Sequence, residues 1–360
     1  MTSRQRMLTA LDRGVPDRLP ASVHDWMQFW LDHYLAGADR IEAFRRFGLD
    51  WSLYRWRWVP DEKGLEKWVV ATRRISPPRM ERVDEITVKT PKKTFRQVWK
   101  WDQFGTHWTT GYLLTQPEDI FIFCRYHPTE RWDLDYERES LDILGDNGIL
   151  RGGRVGPWHR LCDLYGTEKM IVACFENAGW VHEALNAITE LDLRCLETMR
   201  GSKTDLFETG GGHNSSTVIS PDIFREFILP CEKRIHSFLR EKIGIRTVYH
   251  TCGGMMPILN LLVEVGSTAL ETLTPPSLGG DVDLAEIKRR VGRKVALIGG
   301  FDQYNGFENA SPDDTRRLVR HCFETAGVGG GYIMNPSDHF FDAPVRNIEA
   351  YADEARKCVY

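Results

Sequence analysis

From residue 180 onward, segments with apolar residues at helical spacing and one charged face alternate with short apolar runs of strand length. "VHEALNAITELDLRCLETMRG" leads into "DLFETGGGH". "SPDIFREFILPCEKRIHSFLREKIG", opened by a Ser cap and a Pro at the first helical position, leads into "RTVYHTCGG". "MMPILNLLVEVG" precedes "TALETLTPP", "DVDLAEIKRRVGRK" precedes "VALIGGFDQ", and "SPDDTRRLVRHCFETAGVGG" precedes "GYIMNPSDH", with a closing helix at "APVRNIEAYADEARK". The pattern predicts five parallel strands near 205–212, 246–252, 268–274, 295–301 and 331–337, separated by helices. Such βα repeats build either a closed barrel or a doubly wound open sheet.

The first half is less regular. "RLPASVHDW" and "ILRGGRVG" read as further strands of the same sheet. Between them, "EKWVVATRRISPPRMERVDEITVKTPKKTFRQVWKWDQFGTHWTT" alternates apolar and polar residues as antiparallel hairpins do, which predicts a β-rich insertion over about 60–115. No low-complexity linker divides the 360 residues, so a single domain over 1–360 is expected. The opening "TSRQRMLTALDRGVPDR" carries arginines at helical spacing. With Asp12 and the Gly14–Pro16 stop, it reads as an ordinary first helix capped by Thr2 or Ser3 rather than a targeting segment.

Composition narrows the possible partners. A formal charge of −4 with mixed signs offers no field for nucleic acid, and no apolar run approaches membrane-spanning length. The eight cysteines, scattered without C-x-x-C pairs, suit a reducing cytoplasm. Only Cys252 has a ligand-type neighbour at strand spacing: in "VYHTCGG" His250 and Cys252 share one face of a strand. The tempting "GVGGGY" follows a helix and precedes a strand, so its glycines end a helix instead of cradling a dinucleotide.

In all five later units polar side chains gather where the strand ends: Glu208 and His213, His250 and Cys252, Glu271, Asp302 and Gln303, Asp338 and His339. A barrel makes these ends converge on one mouth. Glu208 could bind substrate or transfer a proton, or could pair with a barrel arginine. Glu271, near its strand's end, calls for a cation or metal if it is buried.

"ETGGGHNSSTVISPDIFREFILP", "HTCGG", "DVDLAEIKRRVGRKVALIGGFD" and "PSDHFFDAPVRNIEAY" together resemble the uroporphyrinogen decarboxylase superfamily, and "TSRQRMLTALDRGVPDRLP" is similar to its usual opening. The resemblance implies an α/β fold of the (β/α)8 TIM-barrel type. It also implies one of two chemistries: cofactor-free decarboxylation of a tetrapyrrole, or zinc-dependent methyl transfer involving a corrinoid protein. The decarboxylases carry an arginine-rich N-terminal stretch for their carboxylated substrate. Here the stretch reads "SVHDWMQFWLDHY", with no arginine between Ala21 and Asp39.

The methyltransferases carry a H-x-C pair, matched by His250 and Cys252, and a cysteine near the last strand's end, where this chain has Ser337. The third zinc ligand would then come from Glu271, Asp338 or His339. Exchanging thiolate for a harder donor sharpens zinc as a Lewis acid and suits activation of an ether oxygen. The expected function is therefore methyl transfer from a small methylated substrate, a methoxylated aromatic, to the cobalt of a corrinoid. No D-x-H-x-x-G stretch is present, so the corrinoid would be carried by a separate protein. Glu208, Glu271 and Asp338 are the expected catalytic groups. His213 and an aromatic pocket of Trp26, Trp30, Trp158 and Phe340 are expected to bind substrate. The alternatives are a decarboxylase and a non-catalytic barrel that only binds a tetrapyrrole or corrinoid.

Overall fold

The computed structural model describes all 360 residues. Thirteen strands occur in chain order. The first six are β1 (Trp51–Tyr54), β2 (Trp58–Pro60), β3 (Val69–Arg74), β4 (Val83–Lys89), β5 (Thr94–Trp101) and β6 (His107–Gly111). They are followed by β7 (Glu130–Trp132), β8 (Gly148–Gly153), β9 (Leu206–Gly210), β10 (Arg246–His250), β11 (Ala269–Thr272), β12 (Ala296–Gly299) and β13 (Tyr332–Ile333). Seven of them, in the order β1-β8-β9-β10-β11-β12-β13, form one parallel sheet. The last five fall inside the ranges expected from the apolar runs, each ending a residue or more earlier, because the glycines and polar residues that follow leave the ladder.

The sheet is curled into a barrel-like shape, and the segment around Ala21 joins its two edges. Ser22 N–H donates to Met334 O (3.0 Å) and Met334 N–H to Pro20 O (2.9 Å), while Asp50 N–H donates to Ala21 O (3.0 Å). "RLPASVHDW" thus takes the place of a strand, though Pro20 leaves it a single bridge rather than a ladder. β3 to β6 form a separate four-stranded antiparallel sheet inside residues 60–115, where apolar and polar residues alternate, and β2 pairs with β7.

At the other end of the strands, the helix Ser3–Leu11 lays Met7, Ala10 and Leu11 against Ile149, Leu206, Val248, Ala269, Ala296 and Ile333. Thr2 caps this helix in a capping box with Gln5. An apolar plug at the N-terminal ends of the strands leaves their C-terminal ends as the open face. Gly330 shows why "GVGGG" is glycine-rich: it adopts φ +77°, and a Cβ there would lie 2.0 Å from Gly14 O. These glycines let the chain turn out of a helix and pass the N-terminal segment.

Trp26, Trp30 and Phe340 belong to the core, not to a pocket. The Trp26 and Trp30 rings stack at 5.2 Å, Phe340 meets both edge-on, and all three are at most 2 % exposed. Trp158 is equally buried and donates its indole N–H to His213 O (3.1 Å). Strand-end position alone does not set direction, and these aromatics turn inward to pack.

Candidate active site

At the C-terminal ends of the strands, a cleft of about 550 Å³ is lined by Glu208, Gly210, Gly211, His250, Cys252, Asp338 and His339, with Trp56, Arg154 and His159 on its walls. His250 closes β10 and Cys252 follows it, and their side chains meet, Nε2 to Sγ 3.3 Å. At zinc bond lengths of about 2.0–2.1 Å to nitrogen and 2.3 Å to sulfur, adjacent tetrahedral ligands lie about 3.5 Å apart. The pair therefore already has the spacing of two vertices. Beyond β13 the chain bends at Ser337 and brings Asp338 and His339 to the lining of the same cleft as Cys252. Ser337 itself is buried and turns its hydroxyl toward Leu273 O (3.5 Å).

The other nitrogen of His250 looks the opposite way. Nδ1 faces Glu271 Oε2 (3.5 Å) and Glu208 Oε1 (3.6 Å). An imidazole with one nitrogen at a metal corner and the other turned to carboxylates is the usual arrangement for fixing tautomer and ring orientation. Burial opposes a charge on His250, but Glu208 and Cys252 outweigh it and raise its pKa well above the ordinary histidine range. Burial likewise raises the Cys252 thiol's pKa. Burial pushes His339 down to about 4, so it stands neutral at pH 7 with Nδ1 unpartnered.

Arg151, inside β8 and 1 % exposed, explains how two glutamates stay ionised beneath this cleft. Its Nη1 donates to Glu271 Oε1 (2.8 Å) and its Nη2 to Glu271 Oε2 (2.6 Å) and Glu208 Oε2 (2.8 Å). Against burial, which favours the neutral acid, Arg151 holds Glu271 well below the usual carboxylate range. Glu208 is also lowered: burial again opposes, and His250 and Arg151 prevail. Tyr54 adds a hydroxyl donor to Glu208 Oε2 (2.7 Å), its ring lying under the guanidinium at 4.5 Å. His24 completes the ring, with Nδ1 3.4 Å from Glu271 Oε1 and 3.0 Å from the Tyr54 hydroxyl.

His24, Glu208, His250 and Glu271 bring ligand atoms within 4.8 Å of one another. A guanidinium already bonded to both oxygens of Glu271 competes with a cation there, whereas the donors of Cys252, Asp338 and His339 at the cleft have no such partner. His24, Tyr54 and Arg151 escaped sequence reading. The available signal was an arginine inside the glycine-rich apolar run "ILRGGRVG", which asks for a buried acid. His213 lies apart from the metal corner, beside His159 and Asp163.

Beneath the cleft floor is a second polar layer. His236 Nε2 meets Thr209 Oγ1 (2.7 Å), which donates to Glu232 Oε2 (3.0 Å), and His236 Nδ1 meets Thr247 Oγ1 (2.7 Å). Burial pushes Glu232 up to about 8 and His236 down to about 3, so both are neutral at pH 7. A raised carboxyl pKa favours folding below the unfolded value near 4.5, and that contribution drains away as pH rises to about 8. Glu232→Gln keeps the acceptor for Thr209 and removes the titration. Its stability relative to wild type is therefore expected to rise between pH 5 and pH 8.5 in thermal unfolding. A difference that stays constant with pH contradicts the assignment.

The family model for uroporphyrinogen decarboxylase (URO-D) matches residues 127–358, well over half of the chain. Among curated proteins, uroporphyrinogen decarboxylase of Neisseria meningitidis serogroup C is 33% identical over 134 residues, covering 36% of this chain and 34% of that protein. Methylated-thiol–coenzyme M methyltransferase of Methanosarcina mazei is 23% identical over 257 residues, 70% of this chain and 65% of that protein. The chain thus spans about a third of the length of the decarboxylases it matches. Among solved structures, a methyltransferase from Methanosarcina mazei superposes with a TM-score of 0.67 at 15% identity, covering 99% of both chains, so the two share a fold. With its family model extending from before β7 to the closing helix, the chain belongs to the uroporphyrinogen decarboxylase family.

Proposed function

We propose that this chain is a zinc-dependent methyltransferase that moves a methyl group from a small methylated substrate, a methoxylated aromatic, to the cobalt of a corrinoid carried by a separate protein. The observation that carries the reading is the approach of His250 Nε2 and Cys252 Sγ to 3.3 Å, in a cleft that Asp338 and His339 also line. In this reading residues 1–360 form one closed (β/α)8 domain with an insertion over about 60–115, and residues 19–23 act as the eighth strand.

His250, Cys252 and Asp338 would hold the zinc, which when bound supplies Lewis acidity at the atom losing the methyl group. Glu208 and Glu271 face the outer nitrogen of His250 at 3.6 and 3.5 Å and would favour the ring orientation that turns Nε2 toward Cys252. Arg151 keeps Glu271 ionised and, with His250, does the same for Glu208. His339, neutral at pH 7, is available at the cleft as a further donor or acceptor. Trp56 offers the aromatic wall that Trp26, Trp30, Trp158 and Phe340 do not. Cys252, Asp338 and His339 also line a second, neighbouring opening of about 410 Å³.

The decarboxylase reading draws on the identity to the neisserial enzymes. Its substrate needs several cations, yet the one arginine lining the cleft, Arg154, is held by Glu130 and Asp192 (2.9 and 2.6 Å). The test is a methyl-transfer assay with methoxylated arenes, zinc-loaded chain and a reduced corrinoid protein. Demethylation that requires both metal and corrinoid protein is expected. Metal-independent release of CO₂ from a porphyrinogen, without demethylation, overturns the proposal.

A further inference from the structure

His159 stands on the wall between the cleft and a neighbouring cavity of about 480 Å³, which is also lined by Trp99, His107 and Trp108 of the antiparallel sheet. In that wall a second set of ligand-type side chains converges. His159 and Asp163 sit four residues apart on the helix Pro157–Tyr165 and so share one face. His213 reaches them from the turn that follows β9.

His159 Nε2 lies 3.3 Å from Asp163 Oδ2, His213 Nε2 lies 3.4 Å from Asp163 Oδ1, and the two rings are 4.6 Å apart. The two contacts reach different oxygens of Asp163, and one ligand atom from each of the three residues lies within 4.8 Å of the others. Neighbouring corners of a tetrahedral site with bonds of about 2.0–2.2 Å are about 3.4 Å apart, so a small closing of the side chains completes the set. We propose that His159, Asp163 and His213 form a second binding site for a divalent transition-metal ion, distinct from the His250–Cys252 corner.

Each partner is arranged for it. Thr167 Oγ1 holds His213 Nδ1 at 3.1 Å, turning Nε2 toward Asp163, the outer contact a ligating imidazole ordinarily makes. His159 Nδ1 has only the His213 N–H at 3.5 Å, a contact at the outer limit of hydrogen bonding and cheap to give up when Nε2 takes a metal. Gly211 lets the turn come this close, since at φ +133° a Cβ there would lie 2.1 Å from His159 Nδ1.

No guanidinium neutralises Asp163 as Arg151 does Glu271. The nearby Arg160 is committed to Asp192 (2.5 Å) and His127 (3.2 Å). The Asp163 side chain is 47 % exposed, so an ion can enter and keep an open position. Two imidazoles and one carboxylate select borderline ions such as zinc, cobalt(II) or nickel over magnesium or calcium.

The decisive experiment is Co²⁺ titration of the full chain carrying His250→Ala and Cys252→Ser, followed by visible absorption. One equivalent is expected to bind without a thiolate charge-transfer band. Adding Asp163→Asn, which preserves shape, is expected to weaken that binding about tenfold or more, since loss of a ligand costs at least what loss of an outer-sphere partner does. Circular dichroism melts check that each variant is folded. Absence of Co²⁺ binding in the folded double variant, or unchanged affinity in folded Asp163→Asn, overturns the site. Failure of the mouth site is read separately, as a missing thiolate band in the wild-type chain.

Discussion

Cys252→Ser and His250→Ala are each expected to strip the metal from the cleft and to lower methyl transfer by several orders of magnitude, while the chain remains folded. The first half follows from geometry. In the proposed site Nε2 and Sγ, 3.3 Å apart, would form one edge of the coordination figure, and removing either would leave too few donors to hold the ion. A serine hydroxyl is a poor substitute because zinc binds a thiolate, and an alcohol does not ionise near neutral pH.

The second half follows from position. Both residues lie at the cleft, beyond the apolar plug formed by the first helix and the strand bases, so the core does not depend on them. Metal analysis by mass spectrometry, methyl transfer to a corrinoid protein and a urea melt on the same preparations check the claim. A Cys252→Ser chain that retains stoichiometric zinc, or full activity, defeats it. Glu208→Gln should behave differently: it leaves the corner intact and removes only a charge behind it, where Glu208 faces the outer nitrogen of His250 and accepts from Arg151 and Tyr54, so a smaller loss of metal affinity, about 10- to 100-fold, is expected on the same measurement.

How far the sequence carried this depends on which physical signal each element leaves. β9 to β13 were legible because a short apolar run between charged amphipathic helices has few alternatives, and His250 and Cys252 because strand spacing forces two side chains to one face. The segment at Ala21 was legible as a sheet element, but not as one reduced to a bridge by its proline. Asp338 and His339 reach the same cleft, although a regular strand would point them apart, because β13 ends at Ile333 and the chain bends. Sequence spacing carries no information once the ladder stops. Trp26, Trp30 and Phe340 were drawn toward the substrate by their place in the chain, when their size made the interior the lower-energy choice. His24 lies at the end of "RLPASVHDW", a segment read as a strand, and Tyr54 outside any segment read as an element, but neither shows in sequence which acid it meets: they become partners of Glu271 and Glu208 only through closure of the sheet.

Arg151→Met is expected to cost about 3–5 kcal/mol of folding stability at pH 7.5, because it leaves ionised carboxylates uncompensated in the interior. Arg151 is the sole guanidinium on Glu271, whose side chain is 2 % exposed, and it also donates to Glu208 at 2.8 Å. Methionine fills similar volume, so packing loss is minor and the charge decides the outcome. The pH dependence gives the sign. In wild type Glu271 is held well below its unfolded value near 4.5, so its contribution is present above that value and drains away as pH falls toward the native one. In Arg151→Met the same buried carboxyl loses its partner and takes up a proton to shed its charge, so the deficit against wild type is expected to shrink between pH 7.5 and pH 5. Removing the charge instead, in Arg151→Met/Glu271→Gln, should recover part of the loss at pH 7.5, making the double variant more stable than the sum of the single changes. Urea unfolding of the four chains at both pH values decides it. A deficit below about 1 kcal/mol, the range of exposed ion pairs, would show that Arg151 is not what stabilises the two glutamates. A deficit unchanged by pH, or strictly additive losses, would place the cost in packing rather than in charge.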